Sequence, residues 1–398
     1  MDIQVFGSQK PGRRAMAGDL CIAIGSHRPT PPDFVALHLS APYGSNVIRN
    51  AMAELSIDCL HGATSCRGVM SQAGLHSSDG YGAGAFCIWD AEGDYGSACV
   101  ANDGNPKQAA INATVKALEA AGRVGESPDI IWLSTSPGAE EAVLSGIESI
   151  VGKSVPILGG SAADNDVSGN WYVFDAVNTA EDGVTISVLF PSTQISFAYH
   201  NGYAPTDISG EVTKVDGRLL HEIDHRPAAT VLDEWTNGTV IPNTRKDPVS
   251  ILSESTLSPL GRYLDDVRGV PYFLLAHPSE AYKNGSIALF ADVQVGETLT
   301  LMEGSVESLT ARAGKVASLA ARLGEMHNDN IAGGLMVYCG GCMLAVQDHM
   351  EDVISGVREA LPDIPFLGVF TFGEQGVVID GSNHHGNLMI SCILFAKS

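Results

Sequence analysis

The chain has 398 residues, 44% apolar and 17% charged, enough for two or three packed domains and unlike a disordered composition. Its 23 Lys+Arg against 46 Asp+Glu leave a formal charge of −23, which repels phosphate backbones and anionic lipid and excludes nucleic acid and membrane as expected partners. The longest apolar run, 331–346, is broken by Gly333, Gly334, Gly340 and Gly341, and no signal peptide is recognised, so the 8 cysteines read as thiols in a cytoplasmic protein.

Residues 1–32, with Pro11-Gly12 and Arg28-Pro29-Thr30-Pro31-Pro32, read as a flexible leader. A strand follows over 34–40, a short helix over 45–54 and a strand over 56–60 that runs into His61-Gly62-Ala63-Thr64-Ser65-Cys66. Two strands without an intervening helix, 83–89 and 96–101, predict a hairpin or meander. The period then becomes helical: Ala109, Ala113, Ala117 and Ala120 share one face of 106–121, and Val143, Ile147 and Ile150 share one face of 139–151. Strands over 130–134 and 156–158 flank the second of these helices. Further strands are expected over 171–176, 184–190 and 195–199, and 237–259 reads as a connection or exposed loop.

The C-terminal part repeats the alternation. Strands are expected over 287–293 and 299–302. Ser305 caps a helix to Leu323, with Ser308 just missing the capping-box acid. A strand over 335–338 precedes a long helix over 342–361, and strands over 366–372, 377–379 and 388–395 close the chain. The fold class is therefore α/β: two mixed-sheet α/β halves with flanking helices.

Two glycine turns could hold a ligand. Gly159-Gly160-Ser161-Ala162-Ala163-Asp164 ends a strand, and paired glycines leave amides free for an anion or serve as a tight turn. Thr371-Phe372-Gly373-Glu374 brings a carboxylate to a strand end, for an ammonium group or as a cap. Cys339-Gly340-Gly341-Cys342 lies at a strand-to-helix junction, where the helix N-terminus would lower a thiol pKa. It reads as a redox dithiol or as two buried thiols, and a zinc site lacks its second pair. His200, His221, His225, His349, His384 and His385 form no ligand pattern, though one of them leaves room for an axial haem bond. No hydrolase or metalloprotease motif is present, and no catalytic activity is expected.

These motifs together resemble the FIST-domain proteins. The resemblance rests on Leu60-His61-Gly62-Ala63-Thr64-Ser65, on Pro156-Ile157-Leu158-Gly159-Gly160-Ser161-Ala162-Ala163-Asp164, on Val212-Thr213-Lys214-Val215-Asp216-Gly217 with Pro227-Ala228, and on Pro365-Phe366-Leu367-Gly368-Val369-Phe370-Thr371-Phe372-Gly373-Glu374. It implies a FIST N-terminal domain over 33–235 and a FIST C-terminal domain over 236–398. It also implies a small-ligand sensor that acts on a separate signalling partner such as a histidine kinase. The implied ligand is an amino acid, or haem with nitric oxide, held between the halves. Carried over residue by residue, the ligand site comprises Gly159, Gly160, Ser161, Asp164, Thr371 and Glu374. The alternative is a thiol redox protein or redox sensor using Cys339 and Cys342. The chain departs from the family pattern at His384-His385-Gly386-Asn387-Leu388, which lacks a threonine, and at Cys342, where many members carry arginine.

Overall fold

The computed structural model describes residues 1–244, 246–267 and 270–398. It confirms a mixed α/β protein, and three similar units, not two halves, build its body. Each unit has a strand, a helix, a strand, one or two further helices, and a strand parallel to the second. A short hairpin and a last strand complete it. The central parallel pairs are Phe34–Leu39 with Leu60–Thr64, Ile130–Thr135 with Ile157–Ser161, and Ile331–Cys339 with Phe366–Thr371.

The short hairpin of each unit leaves its own sheet. Val69–Ser71 of the first unit pairs with Phe366–Thr371 of the third. Val173–Phe174 of the second pairs with Leu60–Thr64 of the first, and Glu374–Val377 of the third pairs with Ile157–Ser161 of the second. The exchange is cyclic, so every unit completes a neighbour's six-stranded sheet. Helices cover the outer faces, and Phe34, Phe86, Trp132, Leu158, Leu335 and Phe395 from all three sheets pack together inside. Burial on both faces explains why these strands are continuously apolar, as in Ile130-Ile131-Trp132-Leu133.

At one end the three second parallel strands meet through a ring of main-chain bonds. Cys66 N donates to Phe370 O at 3.0 Å, Ala163 N to Thr64 O at 3.0 Å, and Phe372 N to Ser161 O at 3.1 Å. Both glycine turns of the sequence therefore arrive at one place. After the third unit's first strand, Ile195–Asn201, the chain departs into a nine-stranded sheet between residues 204 and 303, with its own core of Val212, Leu220, Ile223, Leu232 and Ile251. This sheet pairs Ala204–Asp216 with Thr298–Glu303, so it draws strands from both sides of position 235.

Four local expectations are corrected. The expected leader holds strand Asp2–Ser8, in antiparallel register with Ala83–Trp89, and helix Arg13–His27, which buries Met16, Leu20 and Ile24; the apolar spacing outweighs the flanking prolines. Ala83–Trp89 and Asp94–Ala101 belong to different sheets and form no hairpin. The helix expected over 342–361 is two, Gly340–Ala345 and Met350–Ala360, because the backbone leaves helical geometry at Val346 and restarts with Glu351 and Asp352 in the new first turn. The Ser305 cap is a complete capping box, since the Ser308 hydroxyl accepts from Ser305 N in place of an acid. Among the described residues no helix is long and apolar enough to cross a membrane.

Candidate functional site

Gly159 and Gly160 lie inside a sheet, not at a free turn. They pair with Leu133 and Ser134 on one side and with Gln375 and Glu374 on the other. A Cβ on Gly159 would stand 1.9 Å from Leu133 O, and one on Gly160 would stand 2.4 Å from Thr371 Cγ2. Glycine is needed there for close approach between strands, and the amides expected to be free for an anion face sheet neighbours instead. Asp164 closes its own loop: its carboxylate accepts from the amides of Val167, Ser168 and Asn170 at 2.6, 3.0 and 2.8 Å. That loop leads to Trp171.

Ser161 donates to Glu140 Oε1 at 2.7 Å. Glu140 in turn sits in a charged cluster. Arg218 Nη2 lies 2.6 Å from Glu140 and 2.6 Å from Glu141, and Arg218 Nε lies 3.1 Å from Asp292. His385 Nε2 is 3.9 Å from Glu140 and 3.1 Å from Phe290 O. Burial alone would raise the Glu140 carboxyl, but His385 and Arg218 outweigh it and hold it below the usual range. The cluster joins the second unit (Glu140, Glu141) to the nine-stranded sheet (Arg218, Asp292).

Thr371 and Glu374 are brought together. Thr371 Oγ1 donates to Glu374 Oε1 at 2.9 Å, and Met389 N donates to Oε2 at 3.0 Å. Burial pushes Glu374 well above the usual carboxylate range, and neighbouring Cys339 adds to the rise. Both CxxC thiols are free and buried, and Tyr203 Oη lies 3.6 Å from Cys342 Sγ. The expected lowering at a helix N-terminus is corrected: burial, then Cys342, drive the Cys339 thiol well above its ordinary value. A six-residue helix cannot offset that desolvation.

In front of Cys339 and Phe372 lies a cavity of about 200 Å³. The second unit contributes Pro137, Val167 and Trp171. The nine-stranded sheet contributes Leu252, Thr256, His277 and Phe290, and the third unit contributes Cys339, Gly341, Phe372 and Asn387. Trp171 and Phe372 meet edge to face, ring centres 6.2 Å apart. His277 is buried and neutral: burial lowers it to about 4, partly offset by the bond from Nε2 to Leu252 O at 3.1 Å. Thr256 Oγ1 donates to Leu252 O at 2.8 Å. Asn387 is 2% exposed. Its Oδ1 accepts from His277 N at 3.1 Å, while Nδ2 has no partner. The next residue, Leu388, has φ 56°, a left-handed conformation uncommon for leucine.

Of the sequence-predicted residues, Cys339 reaches the cavity wall directly, while Thr371 and Glu374 stand behind it. Gly159, Gly160, Ser161, Asp164 and Cys342 are not among its lining. His277 and Asn387 were missed. The signal for Asn387 was its place in the polar turn before the last strand. His200, His221, His349, His384 and His385 do not line the cavity. Among the described residues no group of three or more His, Cys, Asp or Glu could hold a metal.

The FIST N domain family matches residues 33–226 and the FIST C domain family matches 228–377. An uncharacterized protein of Methanocaldococcus jannaschii is 24% identical over 172 residues, which cover 39% of this chain and 30% of that protein. The chain thus spans under a third of that relative. A solved structure, cyanuric acid hydrolase from A. caulinodans, covers 98% of both chains with TM-score 0.36 and 9% identity. The expectation of a chain without catalysis is withdrawn, because this end-to-end structural neighbour is an enzyme; at that TM-score the likeness brings no activity across.

Proposed function

The chain belongs to the FIST-domain proteins, a family associated with small-ligand sensing in signal transduction, and from that premise we propose that the cavity before Cys339 is its ligand site. The observation that carries the reading is the buried Asn387 side-chain amide, whose Nδ2 has no partner, on a mostly apolar wall that also holds Ser253, Thr256 and His277. Buried donors are normally satisfied, and concave apolar pockets with a few placed polar groups are the usual form of small-molecule sites. A ligand here touches the second unit, the third unit and the nine-stranded sheet together. It therefore stabilises their closed arrangement by its differential affinity, which a signalling partner such as a histidine kinase reads. Ser161, Thr371 and Glu374 act from behind, holding the strand ends that carry the wall.

Haem does not fit these residues. His277 is the histidine of the lining, and its Nε2 is committed to Leu252 O. Among the described residues no lysine or arginine lines the cavity to meet a propionate. Nitric-oxide sensing through haem is not part of the proposal. The redox reading of Cys339 and Cys342 is disfavoured by the burial that keeps Cys339 protonated.

The test is a thermal-shift screen of small molecules on the wild type and on Gly341→Leu. A Cβ at Gly341 meets only ordinary contacts, the nearest Leu388 Cδ2 at 3.5 Å, and Gly341 lines the cavity, so a larger side chain there is placed to occupy it. A ligand at about 100 times its Kd adds roughly 2.7 kcal/mol of stability. The expected result is a shift in the wild type that Gly341→Leu abolishes. Equal shifts in both proteins would overturn the proposal.

A further inference from the structure

Resting on the reading that this cavity is the ligand site, we infer that its ligand is a small, flat, uncharged molecule bearing a carbonyl-type acceptor, taken up by Asn387 Nδ2. Charge comes first. Among the described residues, no Asp, Glu, Lys or Arg lines the cavity. The nearby carboxyl groups are already engaged: Glu140 with Ser161 and Arg218, and Glu374 with Thr371 and the Met389 amide. An ionised ligand would lose its water and find no counter-charge, and an amino acid would do so twice.

Shape and size come next. The walls formed by Trp171, Phe372, Phe290 and Leu252 are apolar, and the crossed Trp171 and Phe372 rings offer faces and edges that suit a planar body. A dry cavity of about 150 Å³ accommodates benzene, so about 200 Å³ has room for one ring and a substituent. The anchor is Asn387. Its Oδ1 is held by His277 N, and its Nδ2 is a buried donor without a partner on a residue of the cavity lining. The adjoining left-handed Leu388 fixes the turn that presents it.

The experiment is isothermal titration with three probes: benzamide, which is neutral with an acceptor; toluene, which is neutral without one; and L-phenylalanine, a zwitterion with the same ring. Benzamide is expected to bind about tenfold more tightly than toluene, the value of one net hydrogen bond. L-Phenylalanine is expected to show no saturable binding. Asn387→Leu should erase the advantage of benzamide and leave toluene within about threefold, and Gly341→Leu should remove both. Equal binding of benzamide and toluene, lost in Gly341→Leu, overturns the ligand class and leaves the cavity reading standing. An advantage that survives Asn387→Leu, saturable L-phenylalanine binding, or no binding of either neutral probe also overturns the class. Binding that persists in Gly341→Leu overturns the cavity reading itself. The wild-type comparison needs no variant to fold, and Asn387→Asp, which keeps the acceptor for His277 N, is the second variant.

Discussion

Two buried polar regions tie the nine-stranded sheet to the three-unit body, and they are built in opposite ways. Around Arg218 the groups are paired: the carboxylates of Glu140, Glu141 and Asp292 each contact the guanidinium, and Ser161 and His385 approach Glu140 from behind. Among the described residues of the cavity around Asn387 none is charged, and the Asn387 Nδ2 donor has no partner. Paired charges taken out of water hold two elements in a fixed register and leave no capacity for a ligand. An uncharged wall with one unpaired donor has that capacity. The first region is a clamp and the second a recognition surface, and both join the same pieces.

The contrast can be broken most severely at the clamp. Glu140→Ala removes the carboxylate with the least exposure, 2%, and leaves Arg218 and the Ser161 hydroxyl short of their partner. The expected loss is about 3 kcal/mol, the lower end for breaking a buried pair, because Arg218 keeps Glu141 and Asp292. Urea unfolding measures it, and a loss under about 1 kcal/mol would remove the clamp from the comparison.

The next effect is on pH. The Glu140 carboxyl is lowered in the folded protein, so its contribution is present above the ordinary carboxylate range and is lost as pH falls through the folded value. Glu374 is raised, so its contribution is present below its unfolded pKa and is lost as pH rises towards the folded value. Glu374→Gln, which cannot ionise, should therefore flatten the alkaline limb of the stability profile and leave the acid limb alone. Thermal unfolding across pH checks this, and an unchanged alkaline limb would mean that Glu374 does not carry it.

The smallest effect sharpens the other side. Asn387→Leu loses the bond from His277 N and also removes an unpaired buried donor, two changes of opposite sign. Stability should move by less than about 1 kcal/mol while ligand binding changes about tenfold. A large loss of stability would make Asn387 a structural residue like Asp164.

Much of the local structure was legible in the sequence. The alanine-faced helix Pro106–Ala120, the apolar strand Ile130–Thr135 and the capped helix Val306–Leu323 are declared by period and by end residues, which act within a few positions. The family motifs marked Thr371 and Glu374, which back the cavity, and the CxxC pattern marked Cys339 on its wall. The roles assigned to those motifs did not follow, because the same Gly-Gly pair suits a free anion loop or two crowded strands, and only the strands beside Gly159 and Gly160 decide between them.

By itself, then, the sequence determined the alternation of strands and helices, the acidic charge and the family. Tertiary structure alone decided which strands pair, since each unit lends its hairpin to a neighbour and Val69 comes to lie beside Val369, 300 positions along the chain. It also decided that the residues following Asn201 fold back over the strand ends and bring His277 against Asn387. The reason is physical. Helix and strand periods are local properties of a segment, whereas sheet partners and cavity walls are chosen by closure of the whole body, which no segment carries in its own pattern.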